Sequence, residues 1–488
     1  MHSQAPSPTR ASSPGRVFAV VALAVFLATL DMFIVNIAFP AIQRSFAGAS
    51  VSDVSWVLSA YAIVFAALLV PAGKLGDILG RRRVFVVGLL AFAAGSALCA
   101  LAPSLGFLIA ARVLQGAGAA AVTPTSLGLL LPAFPPERRA MAIGGWAAIG
   151  AVGAASGPPL GGLLTQISWH WIFIVNVPLA LIAAVAAVRV LAEVRDPAKP
   201  PLPDALGTVL LIASISLLTL TLVKATDWSW APLVALLAAG VVLAVAFVVR
   251  SSRHPAPVLE LSILRVPAFA LASASAALFF AAFAAMLLSN VIFLTSVWHY
   301  SSLTAGLALT PGPLAAAMCA PLSARLTGRL GPGPVGAIGA LAFALGSLWW
   351  IWQVGLEPHY ATAVLPGMVV GGSGVGLVLP AFSVAATATL PPARLATGIG
   401  AQTMFRQLGG TLGVAAFVAI LGTPAPEQVL SAFNHTRVFM VLSAGLAALA
   451  LAFVRRPSPI ARQADGQAEP DARSNGRVPE PVPTSARV

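Results

Sequence analysis

The sequence predicts an all-α polytopic membrane protein with 14 transmembrane helices, two six-helix bundles plus two inserted helices. Three observations predict it. Of 488 residues, 58% are hydrophobic and only 9% charged, with a mean hydropathy of +0.92, which is outside the range of soluble globular domains. Apolar runs long enough to cross a bilayer as helix, about 20 residues, recur along most of the chain. Lys and Arg alternate between rich and poor loops, the pattern that orients membrane proteins. The net charge of +13 therefore reads as a topology signal. Basic residues lie in short loops and tails, not on one face, so nucleic acid is not an expected partner.

Taken in order, residues 1–16 are polar and Pro/Ser-rich, an expected cytoplasmic tail. The apolar run behind them is too long for a signal-peptide core and no small-residue cleavage site follows, so it reads as a first spanning helix. Windows of about 19 residues place six spans within 17–191, at 17–38, 54–72, 84–101, 107–127, 141–164 and 171–191. Residues 192–267 form a linker holding two further spans, 205–223 and 231–249. Six more fill 268–455, at 269–297, 303–324, 335–353, 361–382, 398–421 and 438–454. Residues 456–488 are polar, Pro-rich and aperiodic and cannot bury a core, so they are expected to be a disordered cytoplasmic tail.

The charges test this order. Loops placed inside carry Lys74 with Arg81, Arg82 and Arg83, then Arg138 and Arg139, Arg189 with Arg195 and Lys199, Arg250 with Arg253 and Arg265, Arg325 and Arg329, and Arg394. Loops placed outside carry Arg44, Lys224 and, at a helix edge, Arg437. An even number of spans then puts both termini in the cytoplasm of a bacterial inner or plasma membrane. The halves also repeat, as in many transporters. Gly80, Phe92, Gly95 and Ser96 recur at one offset as Gly331, Phe343, Gly346 and Ser347, and PPERRAMAIG at 135–144 recurs as PPARLATGIG at 391–400. The two spans of the linker have no counterpart.

Charge inside a span is costly, about 2.5 to 3.5 kcal/mol on insertion scales, and is by default a functional hypothesis. Asp31 lies in the first span, about 10 Å from its outer end, and Arg112 in the fourth, about 8 Å from its own. At similar depth they can pair. A carboxylate beside a movable cation can take up and release a proton, because burial and pairing pull its pKa in opposite directions; a fixed pair that only specifies packing is the alternative. Arg406, flanked by Gln402 and Gln407, is the other intramembrane charge, suited to substrate contact or interhelix bonding. Asn36, Tyr61, Gln115, Asn176 and Asn290 add polar groups at helical depth, substrate-cavity candidates or interhelix glue. Trp169, His170 and Trp171, and likewise Trp298, His299 and Tyr300, fit an interfacial aromatic belt. Cys99 and Cys319 lack metal-ligand spacing and read as small core residues. No GxxxxGK phosphate loop occurs, and no cofactor or metal is implied.

Two further stretches carry organisation. GKLGDILGRRR, 73–83, is a polar, basic hairpin between the second and third spans, with Gly73, Gly76, Asp77, Gly80 and Arg81 at fixed spacing. GAASGPPLGG, 153–162, sets small residues for close helix approach beside two bending prolines, Pro158 and Pro159.

These stretches resemble the fourteen-span drug:proton antiporter family of the major facilitator superfamily. LDMFIVNIAFP, 30–40, is similar to its first-helix signature, which implies Asp31 as the proton-coupling carboxylate. The spacing of 73–83 matches its signature loop, which implies a cytoplasmic gate that latches the two halves. LIAARVLQGAG, 108–118, matches the fourth-helix signature and carries over Arg112, Gln115 and Gly116. Gly153, Gly157, Pro158, Gly161 and Gly162 match the fifth-helix signature of antiporters, and WHWIFIVNVP, 169–178, the start of the sixth, with His170 where an arginine is common. The resemblance implies a non-enzymatic exporter, monomeric in the lipid bilayer, that exchanges protons for amphipathic drug-like or antibiotic-like molecules by alternating access. A proton-coupled importer on the same fold, or a membrane-embedded lipid enzyme, are the rival readings. The second half lacks the acidic residues associated with dicationic substrates, which favours neutral, zwitterionic, anionic or monocationic ones.

Overall fold

The computed structural model describes residues 13–195, 201–388, 390 and 394–454. The expected tails beyond those limits, Lys199, and the start of the second PP repeat at 391–393 lie outside the described residues. Every regular element among the described residues is helical, and 14 helices are long and apolar enough to span a membrane. They are α1 Pro14–Ser45, α2 Val51–Leu79, α3 Arg81–Ala100, α4 Leu105–Ala133, α5 Pro136–Ile167, α6 Trp171–Val190, α7 Ala205–Val223, α8 Trp230–Arg253, α9 Pro267–Val297, α10 Ser302–Leu330, α11 Pro332–Gln353, α12 Tyr360–Ala386, α13 Thr397–Leu421 and α14 Pro426–Ala452. This is a multi-pass membrane protein.

In the first half α1 packs on α5, α4 on α2 and α3, and α3 on α6; in the second, α9 packs on α13 and α14, α12 on α10 and α11, and α11 on α14. The halves meet along α2 with α13 and along α5 with α10. Of the inserted pair, α7 packs on α8 and also on both α2 and α13, so it covers one seam between the halves. Asp204 caps α7 through the Gly207 amide at 2.9 Å and pairs with Arg250 of α8 at 2.9 Å.

Hydropathy windows mark the apolar part of each helix but not its ends. The expected hairpin at 73–83 is mostly helix: α2 continues through Asp77 to Leu79, and Gly80 alone separates it from α3. Gly80 has φ +112° and its repeat partner Gly331 has φ +92°, a region that glycine enters without steric cost. Because α1 runs on to Ser45, Asp31 lies about 21 Å from that end rather than about 10 Å. Arg437, expected at an outer helix edge, sits inside α14 at 3% exposure. The expected aromatic belt holds only in part: Trp171 is exposed, but Trp169 and Trp298 are tied down. Trp169 is buried and donates to Ser45 Oγ at 2.8 Å, and Trp298 is buried and donates to the Gly355 carbonyl at 3.0 Å. Cys99 is buried as expected, whereas Cys319 is only half-buried.

Candidate functional site

Helices α1, α4 and α6 of the first half converge on one buried carboxylate. Asp31 of α1 is 0% exposed, and so are Gln115 of α4 and Asn176 of α6; Arg112 of α4 is 1% exposed. Arg112 Nη1 donates to Asp31 Oδ2 at 2.6 Å, and Gln115 Nε2 and Asn176 Nδ2 donate to Asp31 Oδ1 at 2.7 and 3.0 Å. Arg112 and Gln115 are one helical turn apart, so one face of α4 presents both. The same Nη1 reaches Gln115 Oε1 at 2.6 Å, while Arg112 Nε donates to the Val57 carbonyl of α2 at 3.0 Å. Ser96 of α3 accepts from Gln115 Nε2 at 2.7 Å, and the Arg112 guanidinium lies 4.1 Å from the Tyr61 ring centroid.

Arg112 Nε and Nη1, Gln115 Nε2 and Asn176 Nδ2 each have partners, which is what lets an ion pair persist away from water. The one loose end is Asn176 Oδ1, buried without a hydrogen bond among the described residues.

Close helix packing brings this about. A Cβ at Gly95 of α3 would collide with the Gln115 backbone, and one at Gly116 would meet the Tyr61 carbonyl. Glycine at both places lets α4 lie against α3 and α2 closely enough for short side chains to bond. On α5, Gly153, Gly157 and Gly161 face α1 at Phe26, Phe33 and Ile34, while Gly162 faces the Ser302 carbonyl of α10 and Gly306 of α10 faces the Pro158 carbonyl. One glycine stripe thus seats α5 on α1, and its last member joins α5 to the other half.

The 73–83 stretch is a corner of the first half. Arg81 Nε pairs with Asp77 at 2.8 Å and its Nη1 donates to the Gly128 carbonyl of α4 at 3.0 Å; Gly73 and Gly76 lie against Pro124 and Thr125 of α4. The Arg81 amide donates to the Val194 carbonyl, at the start of the linker, at 2.9 Å. The neighbouring Lys74 reaches further, to the Pro257 carbonyl in the linker at 2.8 Å.

The other predicted cavity residues do not join the Asp31 network by any hydrogen bond among the described residues. Asn36 bonds its own helix at the Met32 carbonyl, Asn290 approaches Met368 Sδ at 3.8 Å, and Gln402 donates to the Phe382 carbonyl at 2.6 Å. The Arg406 guanidinium stands 4.4 Å from the Phe280 ring centroid. Arg437 is held by Asn434 at 2.8 Å and by the Trp350 carbonyl.

Sequence reading missed Ser96 as a site residue and missed Glu193. The latter accepts from the Arg82 amide at 2.9 Å, and a Cβ at Gly80 would strike it. A serine beside Gly95 in an apolar run was the available signal for the first; Glu193 follows the last turn of α6 and carried none.

The profile of the Major Facilitator Superfamily matches residues 21–414. A multidrug resistance protein, Stp, of Mycobacterium tuberculosis is 35% identical over 404 residues, covering 82% of this chain and 74% of that protein. The tetracenomycin C resistance and export protein of Streptomyces glaucescens is 34% identical over 423 residues, covering 86% and 77%. A probable actinorhodin transporter of Streptomyces coelicolor is 32% identical over 453 residues, covering 88% and 78%. Among solved structures, an auto-inhibited POT family peptide transporter superposes with TM-score 0.67 at 17% identity, over 91% of this chain and 98% of that one. A D-xylose–proton symporter gives 0.65 at 15% identity, over 91% and 98%. At such identities the structures speak to fold alone.

Proposed function

This chain belongs to the Major Facilitator Superfamily, and on that premise we propose that it exports amphipathic, drug-like or antibiotic-like small molecules in exchange for protons. The similar resistance and export proteins support the substrate class and the direction. The observation that carries the coupling is the fully buried Asp31 carboxylate, held by one cation that neighbouring packing could withdraw.

In this reading the protein sits in a bacterial inner membrane as a monomer with both termini in the cytoplasm. Gly162 against Ser302 and Gly306 against Pro158 close the outer ends of α5 and α10. Rocking one bundle against the other would open that face in turn. Asp31 takes a proton when the site faces outward and Arg112 has moved off; the returning guanidinium expels it inward. Gln115 and Asn176 hold the carboxylate in place in both states. The stretch 73–83 steadies the inner end of α2, and Asn36, Tyr61, Gln115, Asn290, Gln402 and Arg406 supply polar points along the path.

Reconstituted vesicles test this. On addition of amphipathic drugs the native protein should move protons across the vesicle wall, and Asp31→Asn should fall to the level of empty vesicles. Substrate movement without protons, or a variant that couples as well as the native chain, would remove Asp31 from the mechanism.

A further inference from the structure

The second half carries an arginine that its own structure leaves without a counter-charge. Segment 267–454 contains two acidic residues, Glu357 and Glu427, and both are exposed. Arg406 lies about 14 Å from the start of α13, well inside the span. Among the described residues it makes no hydrogen bond and no ion pair; its Nε is shielded and unpartnered, and so is Nε2 of the adjacent Gln407, a residue 6% exposed. Two donors therefore lack acceptors at this level of α13. One aromatic face offsets the cost of such a cation only in part.

What lies beside it is aromatic. Phe280 under the guanidinium is 5.8 Å from Phe283, and Phe283 is 6.2 Å from Phe33 of α1, two residues beyond Asp31. A line of rings thus runs from Arg406 across to the helix that bears the proton-binding candidate. A planar guanidinium fork matches a carboxylate with two parallel hydrogen bonds, and ring faces receive a flat apolar body.

We propose that this surface between the halves binds a molecule with a flat aromatic body and one anionic group, a carboxylate or an acidic phenol, with the anion on Arg406 and the body along Phe280, Phe283 and Phe33. The inference rests on the export reading and narrows its substrate class. A dication finds no partner here; a monoanion completes the site.

Binding of 2-naphthoate, its neutral amide, 2-naphthylmethylammonium and acetate to the purified full-length chain, followed by tryptophan fluorescence and equilibrium dialysis, tests this directly. Naphthoate should bind at least about tenfold more tightly than the amide, roughly a 1.4 kcal/mol difference. Arg406→Gln should erase that preference and leave the amide within about twofold, and Arg406→Lys should keep part of it. Equal binding of acid and amide by the native protein, tightest binding of the ammonium, or acetate binding as tightly as naphthoate would each overturn the assignment. So would an Arg406→Gln protein that loses all probes alike while keeping its native elution profile. The acid–amide comparison needs no variant, so a misfolded substitution does not decide it. Arg406-dependent naphthoate binding with no drug-driven proton movement would sink the export reading alone; proton movement with neutral or cationic drugs and no preference for the acid would sink this one alone.

Discussion

In the first half, Gly118 lies against Phe92 and Gly88 so that α4 meets α3; in the second, Gly374 lies against Phe343 and Gly339 so that α12 meets α11 in the same way. Gly95 packs on the Gln115 backbone and its repeat partner Gly346 packs on Gly371. These contacts put Gly371 where the first half has Gln115, and Met368, three residues earlier, where it has Arg112. The packing was kept and the charges were not. Where the first half closes a carboxylate inside a full set of donors, the second leaves arginine donors without an acceptor. Helix geometry in this chain therefore follows from small residues, whereas the proposed coupling chemistry rests on a few polar side chains that the same geometry can hold or omit.

The most disruptive way to break the comparison is Arg112→Met, which gives the first half the residue of the second. Asp31 would keep its charge without a counter-ion, and the cost should be about 3 to 5 kcal/mol, read as a lower unfolding temperature in detergent. Adding Asp31→Asn to that variant should restore most of the loss. If the double variant is as unstable as the single, the pair contributes packing and not charge balance.

A smaller effect sharpens the shared scaffold. Gly95→Ala and Gly346→Ala each force a Cβ into a facing backbone, and each should cost about 1 to 3 kcal/mol. Their stabilities should fall together, while only Gly95→Ala, which displaces Gln115, should shift the pH dependence of proton movement. A shift from Gly346→Ala as well would mean that the second half takes part in coupling.

The smallest effect lies outside both halves. Burial raises the pKa of Asp204, but hydrogen bonds from the Gly207 amide and Arg250 outweigh it and hold the carboxyl below its usual 3.8. A depressed folded-state pKa contributes stability that is complete above the unfolded value and is lost as pH falls through the folded one. Acidification below about pH 4 should thus destabilise the native chain more steeply than Asp204→Asn, with drug-driven proton movement at neutral pH the same in both. Equal acid slopes would show that this cap–arginine contact does not form in solution.

Much of the fold was legible because bilayer spans are written in composition: the centres of all 14 helices follow from hydropathy. Their ends were not, since a helix can continue through polar residues once neighbouring helices cover them. Arg437 shows this, satisfied inside α14 by Asn434 one turn away. Asp31 and Arg112 stood out as rare charges in apolar runs, which suggested that they pair, as they do; the equal depth expected of them did not hold, because α1 runs on to Ser45. Asn176 and Ser96 could not be placed, because their partners lie 145 and 19 residues away in sequence; for Ser96 the close approach of α3 to α4 at Gly95 fixes the geometry. Nor could the separation of Asn36, Asn290 and Gln402 from the network be read, since polar residues at helical depth bond backbone carbonyls as readily as one another.

In the proposed mechanism one carboxyl group carries the exchanged proton, and infrared difference spectroscopy between acidic and alkaline solution reads its protonation. The native protein should show a buried carboxylic-acid carbonyl band that is absent in Asp31→Asn and altered in Arg112→Gln. A band that survives in Asp31→Asn, or one unchanged in Arg112→Gln, would contradict the assignment of proton exchange to this pair.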